Sequence, residues 1–215
     1  AHVPTDYSPL DALPAPQGGD IVRVSAFTDL RAAIDGKLVL TCTSATRPTG
    51  TARFTGRLIF ETDTKAWGWW NGSTWVMHDT EWQTYTPSWT ASGTAPSIGN
   101  GSITGKYLRS GRECSVHIAL IAESTTTFGS GQYFLSSPFA HGGVHSLIPT
   151  LGTAFCVNQG SWYMTGVVNV QTATTVSVFL PTSTTNCAQG QWSATSPWTF
   201  KSTDQATLSY RFPMA

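Results

Sequence analysis

The chain has 215 residues, of which 40% are apolar and 11% are charged, and its formal net charge is zero. This apolar content excludes a disordered chain, and the neutral charge gives no basis for attraction to nucleic acid or to an anionic membrane. Because no run of about 18 apolar residues occurs, we expect no membrane insertion by a helix.

Residues 1–36 are predicted to form an extended arm followed by one short helix. Four prolines between residues 4 and 16, and the pair Gly18-Gly19, interrupt helix and strand alike. Ser25 is a suitable N-cap, and Phe27, Leu30 and Ile34 then fall on one face of a helix over about residues 26–34. A helix of this length is marginal alone. These three side chains are therefore expected to pack on sister subunits or on their own chain, and the arm either clasps a larger assembly or remains a tail.

The first residues carry no basic stretch followed by an apolar one. We therefore expect synthesis in a cytoplasm without a cleaved signal peptide.

Residues 37–80 predict a small β-meander with many aromatic side chains. The strand-like runs are 37–43, 57–62, 66–70 and 73–77, with a turn at 63–65. Asn71-Gly72 predicts a two-residue hairpin turn, in which both positions take positive φ. Successive strand residues face opposite sides, so Trp69 and Trp70 cannot both face one core. We expect Trp69, Trp70 and Trp75 to pack between subunits.

Residues 81–215 predict an antiparallel β-sandwich or jelly-roll-like domain. Residues 82–215 hold three acidic and five basic side chains, so this surface is almost uncharged and rich in hydroxyls. Cys114, Val116, Ile118 and Leu120 share one strand face, whereas His117 lies on the other. The predicted strands are 102–108, 113–121, 132–136, 147–157, 161–170, 175–180 and 206–212. The whole chain is thus predicted to be all-β apart from one helix.

Cysteine spacing leaves two possibilities open. No pair has the CxxC spacing of a zinc site, and we expect no metal and no cofactor. Cys156 and Cys187 form a disulfide, or all four cysteines are small buried side chains.

Catalytic sites are not expected. Glu113 and Glu123 lie at opposite ends of one predicted strand, about 33 Å apart, which is too far for a glycosidase pair in one subunit. His117, His141 and His145 offer triad bases, but no GxSxG elbow occurs. The spacing of His141 and His145 also allows a metal, but no third ligand can be named. The chain is therefore predicted not to be an enzyme.

Exposed aromatic rings stack on sugar rings, and the C-terminal half has several candidates. These glycan-binding candidates are Trp162, Tyr163, Trp192 and Trp198. The alternative for each is packing in the core or between subunits.

Several runs of the sequence resemble a known module. They are Thr46-Arg-Pro48, residues 56–64 and 69–75, and then residues 85–102, 105–107 and 124–131. Over roughly residues 40–140 the chain is similar to tail proteins of long-tailed bacteriophages, notably those that infect actinobacteria. The resemblance implies a virion structural protein assembled in the host cytoplasm. It also implies a homotrimeric minor tail or tail-fibre protein, or in some cases a capsid-surface fibre, and it transfers no catalytic residue.

These observations together predict a tail-tip or fibre protein that helps the particle attach to its host. Weak glycan sites repeated on one trimer would act through avidity. Residues 1–36 would bind other virion proteins, residues 47–79 would hold the assembly together, and loops beyond Trp89 would recognise the host. The alternative is a capsid decoration or head-fibre protein with a purely structural role.

Overall fold

The computed structural model describes residues 39–142, 150–182 and 188–215. The chain divides into two compact units, 1–40 and 41–215. The predicted arm and helix, including Phe27, Leu30 and Ile34, lie outside the described residues. His145 and Cys187 lie outside them as well.

The prediction of an all-β chain is confirmed. In the described residues, regular structure other than strand consists of two short 3-10 turns, Ser44–Thr46 and Gly50–Ala52, and no helix there is of a length and hydropathy that would cross a membrane. The strands are β1 Val39–Cys42, β2 Leu58–Glu61, β3 Ala66–Trp70, β4 Trp75–Asp79, β5 Gln83–Tyr85, β6 Trp89–Ala91, β7 Ser102–Gly111, β8 Glu113–Ile121, β9 Tyr133–Ser136, β10 Thr150–Asn158, β11 Trp162–Thr172, β12 Thr175–Pro181, β13 Gln189–Gln191 and β14 Gln205–Pro213.

The strands form one continuous sheet in the order β1-β2-β3-β4-β7-β8-β14-β10-β11-β12-β9-β6, with β5 beside β7 and β13 beside β12. The sheet folds over itself like a sandwich, since one hydrophobic cluster takes side chains from β8, β14 and β10 and also from β9 and β12. The inward residues alternate along each strand. On β8 they are Cys114, Val116, Ile118 and Leu120, and on β14 they are Ala206, Leu208, Tyr210 and Phe212.

The predicted division at residue 80 differs from the structure. Strand β4 pairs with β7, with Met77 opposite Gly111 and His78 opposite Ser110. The meander is therefore an extension of the sandwich sheet, and residues 41–215 form one compact unit. This pairing covers the middle of β4, at Met77 and His78, where the sheet edge would otherwise be open.

A buried ion pair crosses the β4–β7 junction. The Asp79 carboxylate is fully buried and accepts hydrogen bonds from Arg109 N at 2.7 Å and from Arg109 Nη2 at 2.6 Å. Burial on its own would lower the pKa of Arg109, but the Asp79 hydrogen bond and charge outweigh it and hold that pKa above its ordinary value. A second buried carboxylate, Glu61, accepts from Arg47 Nε and from Thr64 Oγ1.

The β3–β4 hairpin forms where the sequence predicts it, but the prediction of a two-residue turn is wrong. Trp70 pairs with Trp75, so the loop holds four residues. Gly72 has a φ of 104°, whereas Asn71 is not in the left-handed region. Asn71 Oδ1 instead accepts hydrogen bonds from the backbone N–H of Ser73 at 2.9 Å and of Thr74 at 2.8 Å. The Asn side chain thus replaces a backbone acceptor in the turn.

Candidate functional site

Five adjacent strands present one continuous surface to solvent. In β7, β8, β14, β10 and β11 the residues that alternate with the core residues point outward, and we call this surface the outer face. Strand register sets its side chains in rows. One row runs Lys106, His117, Ser209 and Thr153, and the next runs Thr104, Ala119, Thr207, Phe155 and Thr165.

The outer face has an open depression of about 510 Å³. Hydroxyl groups dominate its polar lining, and Lys106 and His117 lie at one side of it. The hydroxyl-bearing residues are Thr104, Thr153, Thr165, Thr207 and Ser209. No aspartate or glutamate is among the described residues that line it. The depression therefore combines apolar surface with hydroxyl groups and has no acidic group in its described lining.

Exposed aromatic rings flank the depression on both sides. The rings of Phe155 and Tyr163 stack at 5.7 Å with an interplanar angle of 15°, and they are 44% and 70% exposed. On the other side the exposed Trp82 contacts His117, with ring centroids 4.8 Å apart. Both aromatic shelves leave rings available to a ligand.

The four glycan-binding candidates do not come together in one site. Successive residues of β11 point to opposite faces, so Tyr163 lies on the outer face, whereas Trp162 packs near Trp198 with ring centroids 6.2 Å apart. Trp192 is 1% exposed and Trp198 is 8% exposed. Trp192 packs on Tyr133 and Phe200. The expectation that Trp192 and Trp198 offer rings to a glycan is therefore wrong, because the core already covers both faces.

Asp204 explains why Trp198 lies inside. This carboxylate is fully buried and accepts the indole N–H of Trp198 at 3.1 Å. It also accepts the backbone N–H groups of Gln159 at 3.0 Å and of Lys201 at 3.1 Å. Three donors satisfy the charge, so Asp204 fixes the segment before β14 and is not a free acid.

The predicted interface tryptophans also separate. Trp70 is buried in its own chain, beneath the Arg53 guanidinium at 3.9 Å and against Trp75 at 5.6 Å. A subunit-interface role for Trp70 is therefore wrong. Trp75 is half-buried, and Trp69 stacks on His78 at 5.2 Å.

Residues on the other side of the meander form an exposed apolar surface, which we call the meander face. It consists of Leu58, Phe60, Trp67 and Trp69. Leu58 and Trp67 are exposed, and the ring of Phe60 contacts that of Trp67 at 4.9 Å. The alternation that set Trp69 apart from Trp70 also predicts Trp67 on this side, although the sequence interpretation did not name it.

His141 and Glu113, two of the candidates for catalysis, have structural partners. The ring of His141 contacts Ser137 Oγ at 2.8 Å and the Thr172 carbonyl at 3.1 Å. Burial lowers the pKa of His141, and its hydrogen bond to the Thr172 carbonyl opposes this effect only in part. Glu113 pairs with Arg211 at 3.5 Å on the surface. Across the described part of the chain, no three His, Cys, Asp or Glu side chains gather as a metal site.

Three cysteines in the described ranges are free thiols. Cys114 and Cys156 are buried, and burial raises the pKa of each to about 12. Cys42 is half-buried, and its pKa is also raised, chiefly by burial. Cys114 and Cys156 are therefore small core groups of low nucleophilicity.

Sequence reasoning missed Phe155, Trp82 and the hydroxyl rows. The alternation of β8 correctly predicted that His117 lies on the face away from the core. The link from His117 to Ser209 on β14 and onward to β10 depends on strand order, which local patterns do not contain.

Comparison of the chain with models of known protein families, with curated proteins and with solved structures gave no match.

Proposed function

We propose that this chain is a structural protein of a bacteriophage virion, located at the tail tip or in a tail fibre, that helps the particle attach to glycans on the host surface. The observation that carries this proposal is the hydroxyl-lined depression of about 510 Å³ between two exposed aromatic shelves. The resemblance of residues 40–140 to phage tail modules supplies the biological setting.

The chemistry of the outer face suits sugars. A sugar ring has an apolar face of C–H groups, which packs on an aromatic ring, and a rim of hydroxyls, which exchange hydrogen bonds with other hydroxyls. Phe155 and Tyr163 supply the ring surface, and Thr104, Thr207 and Ser209 supply the hydrogen-bonding groups. An open site of this kind buries little of the ligand and gives weak binding per copy.

Multivalency would compensate for weak single sites. We propose a homotrimer whose three outer faces bind one surface together, which raises avidity without any new contact. Residues 1–36 would join this trimer to other virion proteins. Measuring the mass of the purified protein in solution tests the trimer, for which we expect three times the chain mass of 23.1 kDa. A monomer would remove the multivalent part of the proposal.

Glycan arrays test the binding site. We expect the wild-type protein to bind a subset of glycans and the double variant Phe155→Ala/Tyr163→Ala to lose that binding. Trp162→Ala is the matched control, because Trp162 is 52% exposed but packs beside Trp198 and away from Tyr163. Equal binding by the double variant and the wild type would contradict the site. Normal host adsorption by particles that lack the protein would contradict a role in attachment.

A second candidate, a capsid decoration or head-fibre protein, is favoured by the meander face. Exposed apolar residues gathered in one patch are typical of a protein contact, and Leu58 and Trp67 are both exposed. In this case residues 1–36 clasp capsid subunits, and the β-domain beyond residue 81 only projects from the particle. Electron cryomicroscopy of the virion separates the two candidates by the position of the protein on head or tail.

A further inference from the structure

Positive charge lies at only one end of the depression. Lys106 and His117 are both exposed and stand directly opposite each other on β7 and β8. Lys106 takes part in none of the three ion pairs found among the described residues, which are Arg47–Glu61, Arg109–Asp79 and Arg211–Glu113. This end therefore presents a cation that the described side chains do not neutralise.

The acidic groups of the surrounding chain are paired, buried, distant or outside the lining of the depression. Glu113 lies four residues from His117 along β8, about 13 Å away at strand rise, and it pairs with Arg211. Glu123 lies six residues from His117 in the opposite direction, two residues beyond the end of β8 at Ile121. Asp204 is buried beneath Trp198. Glu81 precedes Trp82 in the sequence but does not line the depression.

From this charge distribution we infer that the depression binds an acidic oligosaccharide. A carboxylate or phosphate group of the ligand lies between Lys106 and His117, and its sugar rings continue over the hydroxyl floor to Phe155 and Tyr163. The inference rests on the proposed function and adds the substrate class. An anion here makes a charge-assisted hydrogen bond to Lys106, whereas a neutral ligand leaves the ammonium group to water.

The register also gives the ligand a minimum length. Lys106 and Phe155 are separated by three strand spacings, about 14 Å, and by two residues along the strands, about 7 Å. A single sugar ring cannot reach both ends. The ligand is therefore an oligosaccharide whose acidic group lies near Trp82 and whose stacking ring lies on Phe155.

Matched pairs of oligosaccharides test this inference by calorimetry with the full-length protein. The panel contains uronic acid, sialic acid and phosphate-substituted oligosaccharides, and each acidic member is paired with its carboxyl-reduced, desialylated or dephosphorylated counterpart. Lys106→Gln removes the cation, and Lys201→Gln is the control because Lys201 is exposed and does not line the depression. Thermal melts of both variants confirm that each is folded.

We expect the acidic member of a bound pair to bind about fivefold more tightly than its neutral counterpart, as for a solvent-exposed ion pair. Lys106→Gln should remove most of this preference, Lys201→Gln should keep it, and added salt should reduce it. The pairs that show the preference identify carboxylate or phosphate as the group bound. Equal affinities within the pairs, or an unchanged preference in Lys106→Gln, would overturn the inference of an acidic ligand. The proposed function would still stand if neutral oligosaccharides bind and if that binding depends on Phe155. Absence of binding by every member would overturn both.

Discussion

The Asp79–Arg109 pair at the junction of β4 and β7 gives the sharpest test of the fold. Replacing Asp79 by Ala removes the carboxylate that pairs with Arg109, whose side chain is only 11% exposed. It also removes the acceptor of the Arg109 backbone N–H. Breaking a buried pair from one side costs about 3–5 kcal/mol. Because Arg109 retains some access to water, we expect a loss near the lower end, about 3 kcal/mol of the free energy of unfolding.

Urea titration followed by tryptophan fluorescence measures this loss. The matched control is Glu113→Ala, which breaks the Arg211 pair with side chains 66% and 58% exposed. The control should cost less than about 1 kcal/mol. Asp79→Ala combined with Arg109→Met should recover part of the loss, because no buried charge then remains unpaired. A loss in Asp79→Ala no larger than that in Glu113→Ala would refute the reasoning.

The same titration reports on the division of the chain. Because β4 continues into β7, the meander and the sandwich should unfold in one transition with a single slope. Two separate transitions in the wild-type protein would show that residue 80 marks a boundary in stability.

Three further predictions concern side chains whose roles the structure separates. Tyr163→Ala should weaken glycan binding and leave the melting temperature unchanged. Trp192→Ala should instead create a core cavity and lower the free energy of unfolding by about 3–5 kcal/mol. A destabilised Tyr163→Ala together with a stable Trp192→Ala that no longer binds glycan would contradict both assignments. Gly68→Ala would bring a methyl group against the sulfur end of the Met77 side chain. Because the end of a methionine side chain can shift, denaturant titration should show a loss at the lower end of the range for overpacking, about 1 kcal/mol, and a loss of about 3 kcal/mol would contradict this. The raised pKa values of Cys114 and Cys156, about 12 against an ordinary 9.0, mean that the unfolded chain releases these protons first. The two neutral thiols therefore contribute fully to the free energy of unfolding below pH 9, and this contribution is lost as the pH rises from 9 to 12. The urea midpoint should fall over this range, and a constant midpoint would contradict the prediction.

The sequence predicts the strands that have strong alternation. Residues 113–121 form β8 with the bounds predicted, and β14 covers the predicted 206–212. The short strands β5, β6 and β13, of three residues each, were not predicted. A three-residue run carries too little periodicity to be recognised, and its conformation is set by the neighbouring strand that pairs with it.

In the candidate site, the sequence did not determine which aromatic side chains are exposed and which are buried. Composition identified aromatic residues on a nearly uncharged background, and two of the four chosen rings are exposed. Burial of Trp192 depends on Tyr133, which is distant in sequence, and burial of Trp198 depends on how the following turn brings Phe200 and Asp204 against it. Large aromatic side chains serve cores and binding sites equally well, so their chemistry alone does not separate the two.

The sequence by itself determined that this chain is all-β, that its surface beyond residue 81 is almost uncharged, and that each strong strand has one apolar and one polar face. These properties follow from composition and from the two-residue period of a strand. Tertiary structure decided which polar faces adjoin, and it set Lys106 and His117 across a hydroxyl floor from Phe155 and Tyr163. It also decided that the meander continues the sandwich sheet. Both outcomes depend on pairing between strands distant in sequence, because register and strand order are properties of the folded sheet and not of any local segment.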